Sequence, residues 1–229
     1  MSTYVLTGAG SGIGRLVAER LHARGDTLIL IARDDRRAAD LTAAFPGAVA
    51  VASDLADPTA LADAVAAALP EAIDGIVHAA GIVELGTVAE LPVDAWTSQL
   101  TVNLVAPAEL TRLLLPRVRA ARGQIVFVNS GAGLTAHAGW AAYAASKHGL
   151  KALADALRSE EAEHSVRVTT VYPGRTATPM QETVHAQEGA AYDPDRWIDP
   201  ESVATVILTA LDLPRDAVIS DLTVRPGPR

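Results

Sequence analysis

Seven short apolar runs, at 3–7, 27–32, 48–52, 75–79, 124–129, 166–172 and 217–224, recur along the chain. The stretches 12–24, 35–44, 58–69, 94–120, 138–163 and 200–212 carry a helical pattern, and Pro58 and Pro200 stand near helix starts behind Asp57 and Asp199. Strands joined by helical crossovers run parallel, and a parallel sheet is covered on both faces. The pattern predicts an α/β fold, a doubly wound parallel sheet of about seven strands with helices on both sides. At 229 residues, 49% of them hydrophobic, the chain suits a single domain over 1–229. The segment 174–199 is the least regular, with Pro173, Gly174, Pro179, Gly189 and Pro194 in or beside it. It reads as a long loop with some helix, acting as a lid over a substrate.

The first apolar run leads into Thr7-Gly8-Ala9-Gly10-Ser11-Gly12-Ile13-Gly14 and then an amphipathic helix. Glycines let the backbone approach a phosphate, and the helix amino terminus offers unpaired N–H groups and a favourable dipole. Placed between strand and helix, the turn reads as a pyrophosphate site, against the plainer reading of a tight structural turn. Asp54, after the third run, either accepts from an adenine amino group or caps the next turn. Ala79, Ala80 and Gly81 leave room for a flat cofactor.

Tyr143 and Lys147 are four residues apart within a helical stretch, so they share a face. An ammonium beside a phenol favours the phenolate and lowers a pKa that starts near ~10. A solvated helix face produces the same spacing. The chain has 17 Arg and only two Lys, Lys147 and Lys151. An ammonium exchanges its proton where a guanidinium does not, so Lys at 147 points to chemistry.

Taken in order, Thr7-Gly8-x-x-x-Gly12-Ile13-Gly14, His78-Ala79-Ala80-Gly81, Asn103, Ser130, Tyr143-x-x-x-Lys147 and Tyr172-Pro173-Gly174-x-Thr176 resemble the short-chain dehydrogenase/reductase family over essentially the whole chain. The resemblance implies a Rossmann-type sheet, a nicotinamide cofactor across the carboxyl ends of the strands, and hydride transfer to or from an alcohol or carbonyl carbon. It implies Tyr143 as acid/base, Ser130 as hydrogen-bond donor to the reacting oxygen, and Lys147 as the group that holds the nicotinamide ribose and depresses the Tyr143 pKa. Asn103 would position a relay water. Gly8, Ser11, Gly12, Ile13, Gly14, Arg33, Asp54, Leu55, Ala80, Gly81, Pro173, Gly174 and Thr176 would join Tyr143 and Lys147 around the cofactor. Plainer roles stand beside these: Asn103 stabilising a helix bend, Ser130 capping a loop, and Thr176 terminating a turn.

The family's cofactor-selecting acid falls at the end of the second run, where this chain has Ala32 and then Arg33. A guanidinium grips a phosphate with two hydrogen bonds, and Arg36 or Arg37 adds positive potential. NADP(H) preference is expected, with NAD(H) possible, unless Asp34 and Asp35 neutralise the arginines. His78 stands where the family has Asn, and imidazole replaces one of that side chain's hydrogen bonds but not all.

Leu85, Ala132, Leu134, Trp140, Met180 and Trp197 are the expected pocket residues, and a largely apolar lining suits a small apolar ketone, aldehyde or secondary alcohol. The histidines lack ligand spacing, so no catalytic metal is expected. A net charge of −8 disfavours nucleic acid and anionic membrane as partners. No signal pattern or membrane-length apolar segment is present, and a cytoplasmic protein is expected. Similar proteins associate through the helices at 94–120 and 138–163, so a homodimer or homotetramer is expected. The competing function is a dinucleotide-binding sensor or interaction protein of little catalytic power on the same fold.

Overall fold

The computed structural model describes residues 1–228. Its strands are β1 (Thr3–Thr7), β2 (Thr27–Ala32), β3 (Val49–Ala52), β4 (Gly75–His78), β5 (Gln124–Val128), β6 (Arg167–Pro173) and β7 (Asp221–Val224). They form one sheet in the order β3-β2-β1-β4-β5-β6-β7, with every neighbouring pair parallel. The helices are α1 (Gly12–Ala23), α2 (Asp35–Ala44), α3 (Leu61–Ala66), α4 (Val93–Leu100), α5 (Ala106–Ala121), α6 (Ala141–Glu160), α7 (Pro179–Gln187) and α8 (Pro200–Asp212).

Alternation along the strands divides the core into two layers. Tyr4, Leu6, Leu28, Leu30, Val77, Val126 and Val171 pack with Val17 and Leu21 of α1 and Ile207 and Leu211 of α8. Val5, Ile29, Ile31, Ile76, Ile125, Phe127 and Val168 face Leu110, Leu114 and Val118 of α5 and Leu150 and Leu157 of α6. Both faces are apolar, which is why the runs read as continuous rather than alternating. The strand order reverses at β1, whose neighbours β2 and β4 send the chain in opposite directions. That reversal opens a crevice at the carboxyl ends of the strands.

Three expected elements differ. The single helix at 94–120 is two helices, α4 and α5, joined by a wider π turn over Thr101–Val105. Pro107 cannot donate to the carbonyl four residues back, so the ladder opens at Asn103. The stretch 58–69 is a 3-10 turn at Pro58–Ala60 followed by the six-residue α3, with Asp57 capping through the Thr59 N–H. The strand expected over 217–224 begins only at Asp221. Arg167 donates to the carbonyls of Leu213 (2.7 Å), Pro214 (3.2 Å) and Ala217 (3.3 Å), which holds the approach to β7 as a turn. The irregular 174–199 segment contains α7, capped by Thr178.

His78 ends β4 fully buried, its ring stacked on Phe127 with centroids 4.8 Å apart. Its Nε2 pairs with Thr111 Oγ1 of α5 at 2.9 Å, and its Nδ1 has no partner among the described residues. The tie between β1 and the residues after β4 is made by Thr7, whose Oγ1 accepts from the Ala79 and Ala80 N–H groups at 3.2 and 3.1 Å. Imidazole thus makes one hydrogen bond, and Thr7 links the strands.

Burial pushes the His78 pKa down to about 3. An unfolded histidine titrates near ~6.5, so between those values the unfolded chain takes up a proton that the folded chain refuses. The stability that His78 contributes is present above the unfolded value and is lost as pH falls toward 3, at up to ~1.4 kcal/mol per pH unit. Urea unfolding from pH 7 to 4 should show a shallower decline for His78→Asn than for the wild type. Parallel declines would remove His78 as the cause.

Candidate active site

A cleft of about 1460 Å³ runs along the carboxyl ends of the strands, from the turn after β2 to the start of α6. At its centre β1 turns into α1 through a glycine-rich turn in which Gly8 and Gly14 face backbone. Gly8 has φ +76°, and a Cβ there would lie 2.7 Å from the Ala79 carbonyl carbon and the Ala80 nitrogen. A Cβ on Gly14 would lie 2.4 Å from the Gly8 oxygen. The Ser11 side chain makes no capping hydrogen bond, so the first amides of α1 face the cleft without a side-chain partner. A bare helix amino terminus above a glycine floor is a seat for a pyrophosphate.

All fifteen residues expected around a dinucleotide line this cleft. At one end stand Ala32, Arg33 and Arg37, with Asp54 and Leu55 beside them. Asp34 caps α2 by accepting from the Arg37 N–H at 2.8 Å, and its other oxygen lies 3.7 Å from Arg33 Nε. That backbone hydrogen bond, more than the arginines, holds the Asp34 carboxyl below the usual range. Arg33 is two-thirds exposed and, among the described residues, held only by this long contact, so neutralisation by Asp34 is weak. Asp54 caps the next turn through the Ala56 N–H at 2.9 Å, the plainer of its two expected roles, while still lining the cleft.

At the other end Tyr143 and Lys147 share the buried face of α6. The Tyr143 hydroxyl lies beside the Ser130 side chain. Ser130 is fixed because its Oγ accepts from the Ala132 N–H at 3.1 Å. Lys147 Nζ lies 5.8 Å from the centre of the Tyr143 ring and donates to the Val128 carbonyl at 3.2 Å. The expected lowering of the Tyr143 pKa is corrected here. Burial pushes the phenol up, and the neighbouring Ser130 hydroxyl offsets only part of this. Burial also brings Lys147 down to about 8. The low-dielectric pocket disfavours both charged forms, so Tyr143 is a protonated donor at neutral pH.

Asn103 sits in the π turn, behind the cleft rather than on its wall. Its Oδ1 accepts from the Ile82 N–H at 2.9 Å, and its Nδ2 donates to the Ile82 carbonyl at 2.9 Å and to Ser146 Oγ at 3.0 Å. Gly81 stands between this amide and Lys147, since a Cβ there would be 3.2 Å from Asn103 Oδ1 and 3.7 Å from Lys147 Nζ. Thr176 donates to the Gly174 carbonyl at 3.0 Å and lines the cleft.

Two supporting residues escaped the sequence reading. Asn129 accepts from the Ser130 N–H at 2.8 Å and donates to the Lys147 carbonyl at 3.0 Å, joining the end of β5 to α6. Ser146 donates to the Tyr143 carbonyl at 2.7 Å. Both are small polar residues adjacent to a candidate, a signal too common to single them out.

Of the six expected pocket residues, Ala132, Trp140 and Met180 line the cleft, whereas Leu85, Leu134 and Trp197 do not. Leu134 follows a 3-10 turn at Gly131–Gly133 that carries its side chain toward solvent. Leu85 lies on a strap whose N–H donates to Gln187 Oε1 at 2.7 Å. Trp197 packs beside His185 at 5.2 Å and under the Arg175 guanidinium at 5.3 Å. In their place Val83, His137, Arg175, Glu188 and Arg225 join the wall. The expected largely apolar lining holds beside Tyr143, where Val83, Ala132 and Trp140 pack, and fails farther out. Among the described residues no group of His, Asp or Glu is placed to hold a metal, and no helix is long and apolar enough to cross a membrane.

A short chain dehydrogenase family model matches residues 2–189. Over 234 residues the chain is 34% identical to a 1-deoxy-11-beta-hydroxypentalenate dehydrogenase of Streptomyces exfoliatus, which covers 96% of this chain and 83% of the relative. Among solved structures it is 32% identical to a protein of Beutenbergia cavernae assigned as an NAD(P)-dependent gluconate 5-dehydrogenase, with NADP bound at low occupancy. The TM-score is 0.83, over 98% of this chain and 95% of the other. A short chain dehydrogenase of Escherichia coli complexed with NADPH is 27% identical at a TM-score of 0.86, over 98% and 97% of the two chains.

Proposed function

The chain is an oxidoreductase of the short-chain dehydrogenase/reductase family, and on that footing we propose that it is an NADP(H)-dependent enzyme of the carbonyl reductase or alcohol dehydrogenase type. The substrate is a ketone, aldehyde or secondary alcohol whose reacting end is apolar. The observation that carries this reading is the neighbouring pair of Ser130 and Tyr143 hydroxyls beside Lys147, in the same cleft as the glycine turn. The relatives and structures named above, with NADP or NADPH bound in two of them, support it.

When bound, the nicotinamide supplies or accepts the hydride at the substrate carbon. The first-turn amides of α1 and the Gly8–Gly14 floor hold the pyrophosphate, Arg33 and Arg37 face the 2′-phosphate, and Asp54 and Leu55 flank the adenine. Ala80, Gly81, Pro173, Gly174 and Thr176 border the nicotinamide, and Lys147 donates to its ribose. Ser130 donates to the carbonyl oxygen, and Tyr143 delivers the proton that makes it a hydroxyl. Asn103 holds the Ile82 strap and positions the water that returns a proton toward Lys147. The segment 174–199 closes over the substrate, and protection of it from proteolysis by NADPH is the measure of that closure. The enzyme assembles as a homodimer or homotetramer through α4, α5 and α6 and the π turn between the first two, a face that exposes Val93, Val105 and Ala145. A light-scattering mass of two or four times 23.8 kDa is the check.

The test is NADPH and NADH oxidation with a panel of ketones and aldehydes, for wild type and Arg33→Ala. A guanidinium on an exposed phosphate contributes a charge-assisted pair, so the variant should lose about tenfold in NADPH affinity with little change for NADH. Equal loss for both cofactors, or a wild type that favours NADH, would show that Arg33 does not read the 2′-phosphate. Tight NADPH binding with no consumption by any panel member would favour the sensor reading.

A further inference from the structure

Two arginines stand at the substrate end of the cleft, and only one of them has a partner among the described residues. The Gly174 N–H donates to the Val224 carbonyl at 2.8 Å where β6 and β7 end side by side. Arg175 and Arg225 each follow one of these residues, so they leave the sheet from adjacent positions. Arg175 donates two hydrogen bonds to Glu188, at 2.7 and 2.6 Å, and lies over the rings of Trp140 and Trp197 at 5.9 and 5.3 Å. Its charge is cancelled and its position fixed. Arg225 also lines the cleft, but its guanidinium makes no hydrogen bond, ion pair or ring contact among the described residues.

Its placement brings that free charge close to the reacting groups. A methyl on Gly131 would lie 2.7 Å from Arg225 Nη1. Gly131 directly follows Ser130, so glycine at 131 is what allows the guanidinium to rest against this loop. The other carboxylates on the cleft wall are Asp40 and Asp54, at the adenosine end, and Glu188, already bound to Arg175. Apart from the buried Lys147, the substrate end therefore carries one positive charge without a carboxylate partner among the described residues, near the apolar wall of Val83, Ala132 and Trp140.

We infer that Arg225 determines specificity by binding a carboxylate on the part of the substrate remote from its carbonyl. The preferred substrate class is an oxo acid or hydroxy acid with an apolar segment between its two functional groups. The apolar segment lies against Trp140 and Ala132, and the carboxylate reaches the fork of Arg225, which suits two parallel N–H···O bonds. This rests on the oxidoreductase reading of the cleft.

Phenyl ketones carrying a carboxylate two to five methylenes from the carbonyl, together with their methyl esters, test it with NADPH. For at least one chain length the wild type should favour the acid over its ester by about tenfold or more in kcat/KM, an advantage that shrinks at high salt. Arg225→Ala should reduce that ratio to near one by raising KM for the acid, and Arg225→Lys should keep much of it. A wild type that prefers the esters, or a ratio that Arg225→Ala leaves unchanged, overturns the inference. Calorimetric titration of the acids into protein loaded with NADP+ reads the same contact without turnover. Acids that bind through Arg225 but are not reduced would sink the oxidoreductase reading and leave the anion site standing. Acids that do not bind would overturn the site.

Discussion

Tyr143→Phe should lower turnover by at least ~10²-fold while NADPH affinity changes little. The ring it leaves behind is already held, with Trp140 edge-on at 5.8 Å and Ala132 and Ala144 packed around it. What disappears is the hydroxyl beside Ser130. Because burial raises the phenol's pKa, this group is protonated at neutral pH and ready to donate to a carbonyl oxygen. Ser130 alone has no comparable means of being reprotonated, since the buried ammonium of Lys147 lies against the tyrosine ring. Steady-state kinetics with fluorescence titration of NADPH separate the two effects. Turnover within a few-fold of wild type would remove Tyr143 from the chemistry.

Gly14→Ala should be severely damaging to the dinucleotide seat. Its Cβ would lie 2.4 Å from the Gly8 oxygen and 2.8 Å from the Gly8 carbonyl carbon, with Ala79 Cβ at 3.1 Å. These are backbone atoms in a turn between a buried strand and a buried helix, so no side chain can rotate away. The helix must instead move off the turn, at a cost of about 1–3 kcal/mol in stability. The first-turn amides move with it, and NADPH affinity should fall by about tenfold or more. Gly10→Ala is the control for stability, since a Cβ there meets nothing within 4 Å. Equal melting temperatures for Gly14→Ala and wild type would show that the turn yields more easily than this geometry allows.

The parts of the site that could be read in advance are those set by local spacing. Gly8 to Gly14 bridge one strand and one helix, and Tyr143 and Lys147 are one helical turn apart. Arg33 follows the end of β2 directly. Such relations survive whatever the rest of the chain does, because strand and helix periodicities fix which side chains share a face. The substrate wall was read poorly because Leu85, Leu134 and Trp197 were assigned by the loops that carry them rather than by where their side chains go. Their directions are set by long-range bonds, such as Leu85 N–H to Gln187 and Trp197 against Arg175.

The same division runs through the whole protein. Apolar runs of strand length between helical stretches determined a parallel sheet, and the glycine turn and the Tyr143 helix determined which end of it could do chemistry. Only the tertiary structure decided that Asn129 joins Ser130 to Lys147, and that Asn103 faces Ile82 from a π turn. It also decided that burial raises rather than lowers the Tyr143 pKa, and that Arg225 stands against Gly131, 94 positions away by sequence. Hydrophobic periodicity is encoded within a few residues and needs no partner to be read. Hydrogen-bond pairing, desolvation and charge compensation depend on which distant groups share a volume, and that is settled only when the sheet is assembled.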